Sequence, residues 1–192
     1  MCPPLSVGGN KTFRKVYPVG TPIDRMRLTP AAVADEREWI EERAPTVVPL
    51  LNDVRTDLAA AFDTDVASVS TETYRAEVDV VFADGDLAVN VAALSGLLRD
   101  LDVKDDYPGF VVDELLGREL AGAIAGDQPL RLLGEATFHY ADVTTHTEGT
   151  AGLDDLDAAL AAGFQTRLPG WEWTASESPF AVEPDDPGEP RS

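Results

Sequence analysis

Acidic residues outnumber basic ones by a margin that limits the conditions in which this chain can fold. The sequence contains 35 Asp and Glu against 15 Lys and Arg, which gives a formal net charge of −20. At ordinary ionic strength this surplus charge repels itself and opposes a compact state, whereas at about 1 M salt the Debye length is near 3 Å and the repulsion is screened. The charge therefore predicts a protein that folds and works in molar salt.

The choice of charged residues points the same way. Lysine occurs only at Lys11, Lys15 and Lys104, while arginine occurs twelve times and aspartate outnumbers glutamate. This balance resembles that of proteins from haloarchaea, which keep molar salt inside the cell. The 44% hydrophobic content argues against a disordered acidic chain. A protein that mimics nucleic acid stays open as an alternative, although such a protein would concentrate its charge along one stripe.

Cysteine usage and hydropathy predict a cytoplasmic protein, or a virion protein assembled in the host cytoplasm. Cys2 is the only cysteine, so an intramolecular disulfide is impossible and a cysteine zinc site is not expected. No run of 18 apolar residues occurs, and residues 1–30 lack the pattern of a secretion signal. Because the net charge repels phosphates and anionic lipids, we expect neither a nucleic-acid partner nor a membrane partner.

Composition divides the chain into three parts. Residues 1–28 are rich in Pro and Gly and predict an extended arm, residues 29–178 predict a single domain, and residues 179–192 form an acidic, Pro-rich tail. The arm is the one basic stretch, with five cations against a single acid: Lys11, Arg14, Lys15, Arg25 and Arg27. It is predicted either to lie over the acidic body of its own chain or to reach a neighbouring subunit.

The hydrophobic pattern predicts an α+β fold. Thr29-Pro30 predicts a helix start, and Thr46 predicts the cap of a second helix. Apolar and polar residues then alternate over about 73–92 around Asp84-Gly85, which predicts a β-hairpin, and again over about 130–143, which predicts a third strand. Helices are expected at about 93–101 and 111–125 and around Leu153 to Leu160. The result is a small antiparallel sheet packed by helices.

No motif specifies catalysis, and we expect no cofactor and no catalytic residue. The sequence lacks a nucleophile elbow and a glycine-rich phosphate loop. A weak metal set can be drawn from the two histidines and nearby acids, His139, Asp142, His146 and Glu148, although residues 139 and 142 of a strand point to opposite faces. Trp171 and Trp173 are large anchors for core packing or for an interface.

These observations predict a non-enzymatic assembly subunit, a homo-oligomer within a larger complex, joined through the five cations of the arm and through Trp171 and Trp173. A neck or tail component of a virion is one such role, by analogy alone. Two alternatives stay open. One is a small metal-dependent enzyme or ligand-binding protein that uses His139 and His146, and the other is an acidic adaptor that mimics nucleic acid.

Overall fold

Helices account for all the regular secondary structure in the part of the chain that the computed structural model describes, residues 27–101, 112–144 and 151–171. Seven helices occur there: α1 Pro30–Glu42, α2 Ala44–Ala61, α3 Thr71–Ala83, α4 Gly85–Arg99, α5 Val112–Ala125, α6 Leu130–Thr144 and α7 Ala151–Gln165. These residues contain no strand, so the predicted α+β fold with an antiparallel sheet is wrong. Residues 1–26 of the predicted arm and the predicted tail 179–192 lie outside the described residues.

The predicted hairpin over 73–92 is instead a pair of helices. Tyr74, Val78 and Val81 are the buried residues of α3, and their spacing of four and three residues follows one face of a helix. Asp84-Gly85 does not form a hairpin turn. The Asp84 side chain caps α4, because its Oδ1 accepts a hydrogen bond from the Leu87 amide at 3.2 Å.

The predicted strand over 130–143 is α6. Gly134, Thr137, Phe138 and Ala141 are buried at spacings of three, one and three residues, which again places them on one helix face. The alternation of apolar or aromatic residues with polar ones favoured a strand in the sequence. Packing against the neighbouring helices overrides that local preference.

Two of the predicted helix starts have different outcomes. Thr29 does cap α1, since its Oγ1 accepts a hydrogen bond from the Ala32 amide at 3.1 Å. The predicted cap at Thr46 is wrong, because α2 already begins at Ala44 with Pro45 in its first turn. Arg43 keeps a helical backbone between the two helices, so no side-chain cap is needed there.

α7 is the central helix of the fold. Every residue from Asp155 to Thr166 is buried, and α7 packs against α2, α4, α5 and α6. A helix that is buried on all sides must be apolar or small all round, and the segment Ala158–Gly163 meets this requirement. The predicted helix around Leu153 to Leu160 is therefore confirmed, but Gly163 lies inside it and does not end it.

Glycines let α5, α6 and α7 approach closely. A Cβ placed on Gly163 would lie 2.7 Å from the Cβ of Ile124 on α5, and one on Gly117 would lie 2.6 Å from the Phe138 ring on α6. These contacts also fix the directions of the helices: α5 and α7 run parallel, and α6 runs antiparallel to both. The N-terminal ends of α5 and α7 and the C-terminal end of α6 thus meet at one end of the bundle.

Within the described ranges, no single helix has both the length and the apolar composition needed to cross a bilayer; only α3 and α4 taken together pass that test, and they are bent by 112°.

Candidate interaction surface

α6 holds both described members of the predicted metal set. His139 is exposed and its Nδ1 lies 3.5 Å from Glu114 Oε1 on α5, while Asp142 follows one helical turn later on a neighbouring face. His146 and Glu148 lie outside the described residues. Among the residues that are described, no three His, Cys, Asp or Glu side chains are grouped so that they could hold a metal ion. The four-residue set stays a prediction.

The predicted interface residues are also divided between described and undescribed parts of the chain. Trp171 is buried, at 6% exposure, with its ring 5.3 Å from the guanidinium carbon of Arg55. Arg27 is exposed at the end of the described chain. The remaining predicted members lie outside the described residues: Lys11, Arg14, Lys15, Arg25 and Trp173. The interface set therefore stays a prediction.

Arg55 is the buried cation that holds the segment around Trp171. It is 1% exposed, and its guanidinium donates hydrogen bonds to the Ala67 carbonyl at 3.0 Å, to Gln165 Oε1 at 2.9 Å and to the Pro169 carbonyl. Burial lowers the pKa of Arg55. These bonds join the loop after α2 to the end of α7, so Arg55 stabilises the fold at this point.

The outer face of α6 is apolar, and we call it the α6 stripe. Its five residues fall within a sector of about 100° on the helix surface and span about 17 Å: Leu132, Ala136, His139, Tyr140 and Val143. Leu132 is 59% exposed and Val143 is 70% exposed. None of the five is Asp, Glu, Lys or Arg, although the chain as a whole carries a charge of −20.

The α6 stripe lies opposite the residues that α6 buries, so this helix is apolar on two faces. The inner face, which includes Phe138, packs against the bundle, whereas all five residues of the stripe are exposed. Two polar contacts join the stripe to neighbouring helices: His139 Nδ1 lies 3.5 Å from Glu114 Oε1 on α5, and the Tyr140 hydroxyl donates a hydrogen bond to Asp57 Oδ2 on α2 at 2.9 Å. That bond raises the pKa of Tyr140 and fixes the ring at the edge of the stripe.

Charged residues flank the stripe on the side of α5. Arg131, near the N-terminal end of α6, lies 2.6 Å from Glu119 Oε2 and 2.9 Å from Glu135 Oε1. Asp142, near the C-terminal end, lies on the same flank, because eleven residues are close to three full turns. One flank of the stripe thus begins with a cation and ends with an anion.

Several acidic side chains meet at the anionic end of the stripe. Asp155 at the start of α7 is 8% exposed and Asp113 at the start of α5 is 4% exposed. Burial, followed by the negative charges of Asp142, Asp113 and Glu114, raises the pKa of Asp155 to about 8. A neutral carboxylic acid is consequently expected at position 155 at pH 7. A positive charge brought to this end would be stabilised.

A family model described as a domain of unknown function, DUF7984, matches residues 26–184, which is most of the chain and includes every described helix. The chain belongs to the DUF7984 family. No curated protein and no solved structure matches it.

A second feature of this DUF7984 chain is a cavity of about 420 Å³ between α1 and α4, lined in part by Arg27, Glu36, Trp39 and Arg99. Arg99 Nη1 donates to both carboxylate oxygens of Glu36, at 2.7 and 2.9 Å, and its guanidinium carbon lies 5.1 Å from the centre of the Trp39 ring. Burial raises the pKa of Glu36 despite this partner. The cavity is lined by both acidic and basic side chains, and Arg99 is already paired with Glu36. The lining therefore favours neither an anionic nor a cationic ligand.

Sequence reasoning missed the α6 stripe in this DUF7984 chain, although the signal was present. Leu132, Ala136, Tyr140 and Val143 recur at intervals of four, four and three residues, which is a helical spacing. Alternation over the same residues favoured a strand, and a strand would have divided these side chains between two faces. Only the helical assignment joins them into one surface.

Proposed function

We propose that this protein is a non-enzymatic assembly subunit that works in molar salt and joins its complex through the α6 stripe. The single observation that carries the proposal is the exposure of Leu132 and Val143 at opposite ends of a helix face that has no Asp, Glu, Lys or Arg. Exposed apolar surfaces of this kind are typical of protein interfaces.

Electrostatics supports the choice of this face. Two copies of a protein with a charge of −20, or one copy and an acidic neighbour, repel each other over most of their surfaces. Contact is least costly where a surface carries no net charge, and the α6 stripe is such a surface. Molar salt screens the remaining repulsion beyond about 3 Å, so that burial of apolar area can determine the contact.

Thiol accessibility in intact cells tests the proposal whatever molecule covers the stripe. In a Cys2→Ser background, Ala136→Cys places a reporter in the middle of the stripe, and Val80→Cys places a matched reporter on the exposed face of α3, where Val80 is 53% exposed. Both variants are expressed in the natural host and treated with a membrane-permeant maleimide. We expect Ala136→Cys to react at least about tenfold more slowly than Val80→Cys, because an interface excludes the reagent.

Equal labelling of the two cysteines in cells would refute the proposal, since the stripe would then be open where the protein works. Protection of Ala136→Cys that persists in a purified monomer would refute it as well, because the chain itself would then cover the face. Unfolding in urea must expose both cysteines equally, which controls for intrinsic reactivity.

A further inference from the structure

The pattern of side chains along the α6 stripe indicates what covers it, provided that the proposed function is correct. Large apolar residues, Leu132 and Val143, stand at the two ends, and in the middle a small residue, Ala136, is followed one turn later by a larger one, His139. A small side chain on one helix leaves room for a larger side chain of a facing helix. Such a face is complementary to itself when two copies run in opposite directions.

We propose that the occupant of the α6 stripe is the α6 stripe of a second copy of this chain, packed antiparallel about a two-fold axis. An axis between residues 137 and 138 places Leu132 of each copy opposite Val143 of the other and Ala136 opposite His139. An isologous contact of this kind is the commonest way in which identical chains associate. It also closes on itself, so it yields a dimer and not a chain of subunits.

Charge selects the antiparallel direction over the parallel one. A two-fold axis across the stripe brings the same flank of both helices together, so Arg131 of one copy lies beside Asp142 of the other. A parallel pair, whose two-fold axis runs along the helices, would place these flanks on opposite sides of the contact, so Arg131 of one copy would not lie beside Asp142 of the other. The antiparallel pair also brings a cation to the acidic end, where Asp155 and Asp113 are buried. Because Arg131 is already paired within its own chain, this contact determines direction more than affinity.

The size of the stripe predicts a dimer of modest affinity. Two faces about 17 Å long bury on the order of 1,000 Å² in total, at the low end for specific complexes. Exposed Val112 and Leu115 of α5 lie at the same end of the bundle as Val143 and can add to this area. We therefore expect dimerisation in the range of about 1 to 100 μM, with greater affinity in molar salt.

Disulfide trapping tests the direction of pairing. In a Cys2→Ser background, Leu132→Cys and Val143→Cys are purified separately, mixed in about 2 M salt and oxidised. The antiparallel pair brings residues 132 and 143 of different copies together, so the mixture should give a disulfide-linked dimer. Each variant alone should give little, because identical positions lie about 17 Å apart and a disulfide needs Cα atoms within about 7 Å. Val80→Cys mixed with either variant is the control for random collision.

Light scattering over a dilution series provides the second measurement. Leu132→Asp should weaken the dimer at least about tenfold, because it places a carboxylate against the apolar Val143 of the other copy. Val80→Asp adds the same charge on α3 and should leave the dimer unchanged. Both positions are exposed, so circular dichroism should show that the helices are retained.

The outcomes separate this inference from the proposed function. A monomer at about 200 μM whose Ala136→Cys thiol is nevertheless protected in cells would overturn the second copy as the occupant and leave the assembly role standing. Stronger trapping within each single variant than in the mixture would overturn the antiparallel direction. If Ala136→Cys reacted in cells as fast as Val80→Cys, the assembly role itself would be refuted.

Discussion

Replacing Asp155 by Asn should remove a loss of folding stability that grows as the pH rises. Asp155 is buried at the start of α7, and its pKa is about 8, against an ordinary value of 3.8. Between these two values the folded chain retains a proton that the unfolded chain has released. Stability therefore falls as the pH rises from about 4 to about 8 and stays low above that range.

The size of the effect follows from the shift in pKa. One unit corresponds to about 1.4 kcal/mol, so a difference of about four units sets an upper bound of about 6 kcal/mol. Molar salt weakens the repulsion from the partly exposed Asp142 and Glu114 more than that from the buried Asp113, and the burial of the charge remains. We therefore expect Asp155→Asn to exceed the wild type in unfolding free energy by about 2–4 kcal/mol at pH 9 and by only about 1.5 kcal/mol at pH 5, which lies about one unit above the ordinary pKa of 3.8.

Urea denaturation followed by circular dichroism measures both values, at pH 5, 7 and 9 in about 2 M KCl. The matched control is Asp157→Asn, two residues further along α7. Asp157 is fully buried and paired with Arg43, and burial raises the pKa of Asp157, so Asp157→Asn removes a buried ion pair and should destabilise the fold by about 3–5 kcal/mol at pH 9, a change opposite in sign to that of Asp155→Asn. The reasoning would be refuted if Asp155→Asn changed stability by the same amount at pH 5 and pH 9.

Two further predictions concern packing and salt. Gly163→Ala should destabilise the fold by about 1–3 kcal/mol in urea denaturation, because the added Cβ would lie 2.7 Å from Ile124 in the centre of the bundle. Gly85→Ala is the control: its Cβ meets nothing within 4 Å, so no loss is expected there, and an equal loss at both positions would contradict the packing argument. Lowering the salt from about 2 M to about 0.1 M should unfold or loosen the chain, because the charge of −20 is then no longer screened. An identical thermal melt by circular dichroism in both buffers would contradict this expectation.

Part of the helical structure was available from local sequence signals. The Thr29 cap and the helices around 111–125 and Leu153 to Leu160 were predicted and are confirmed by α1, α5 and α7. These segments have a clear start signal or a helical spacing with no competing alternation. Local chemistry and tertiary packing agree there, so local evidence was sufficient.

The hairpin was predicted wrongly because one set of residues satisfies two periods. Tyr74 and Val78 are separated by four residues, a spacing that places them on one face of a strand and also on one face of a helix. Asp84-Gly85 is similarly ambiguous, since the same dipeptide begins a tight turn or caps a helix. Only the contacts of α3 and α4 with their neighbours decide between the two, and those contacts are long-range.

The candidate surface likewise depends on whether a segment forms a strand or a helix, here residues 130–143. The sequence specifies that Leu132, Ala136, Tyr140 and Val143 are apolar or aromatic, but a strand would divide them between two faces and a helix gathers them on one. Burial of the opposite face of α6 then determines that this stripe points outward. The pKa of Asp155 likewise follows from the meeting of three helices and not from its sequence neighbours alone.

The sequence by itself determined the charge, the confinement of lysine to three positions and the start of α1, because these depend on composition or on residues within a few positions of each other. Tertiary structure decided the fold class, the burial of α7 from Asp155 onward, the raised pKa of Asp155 and the exposure of the α6 stripe. Each of these depends on which distant segments exclude water from a residue, and that is a property of the packed chain and not of any local stretch.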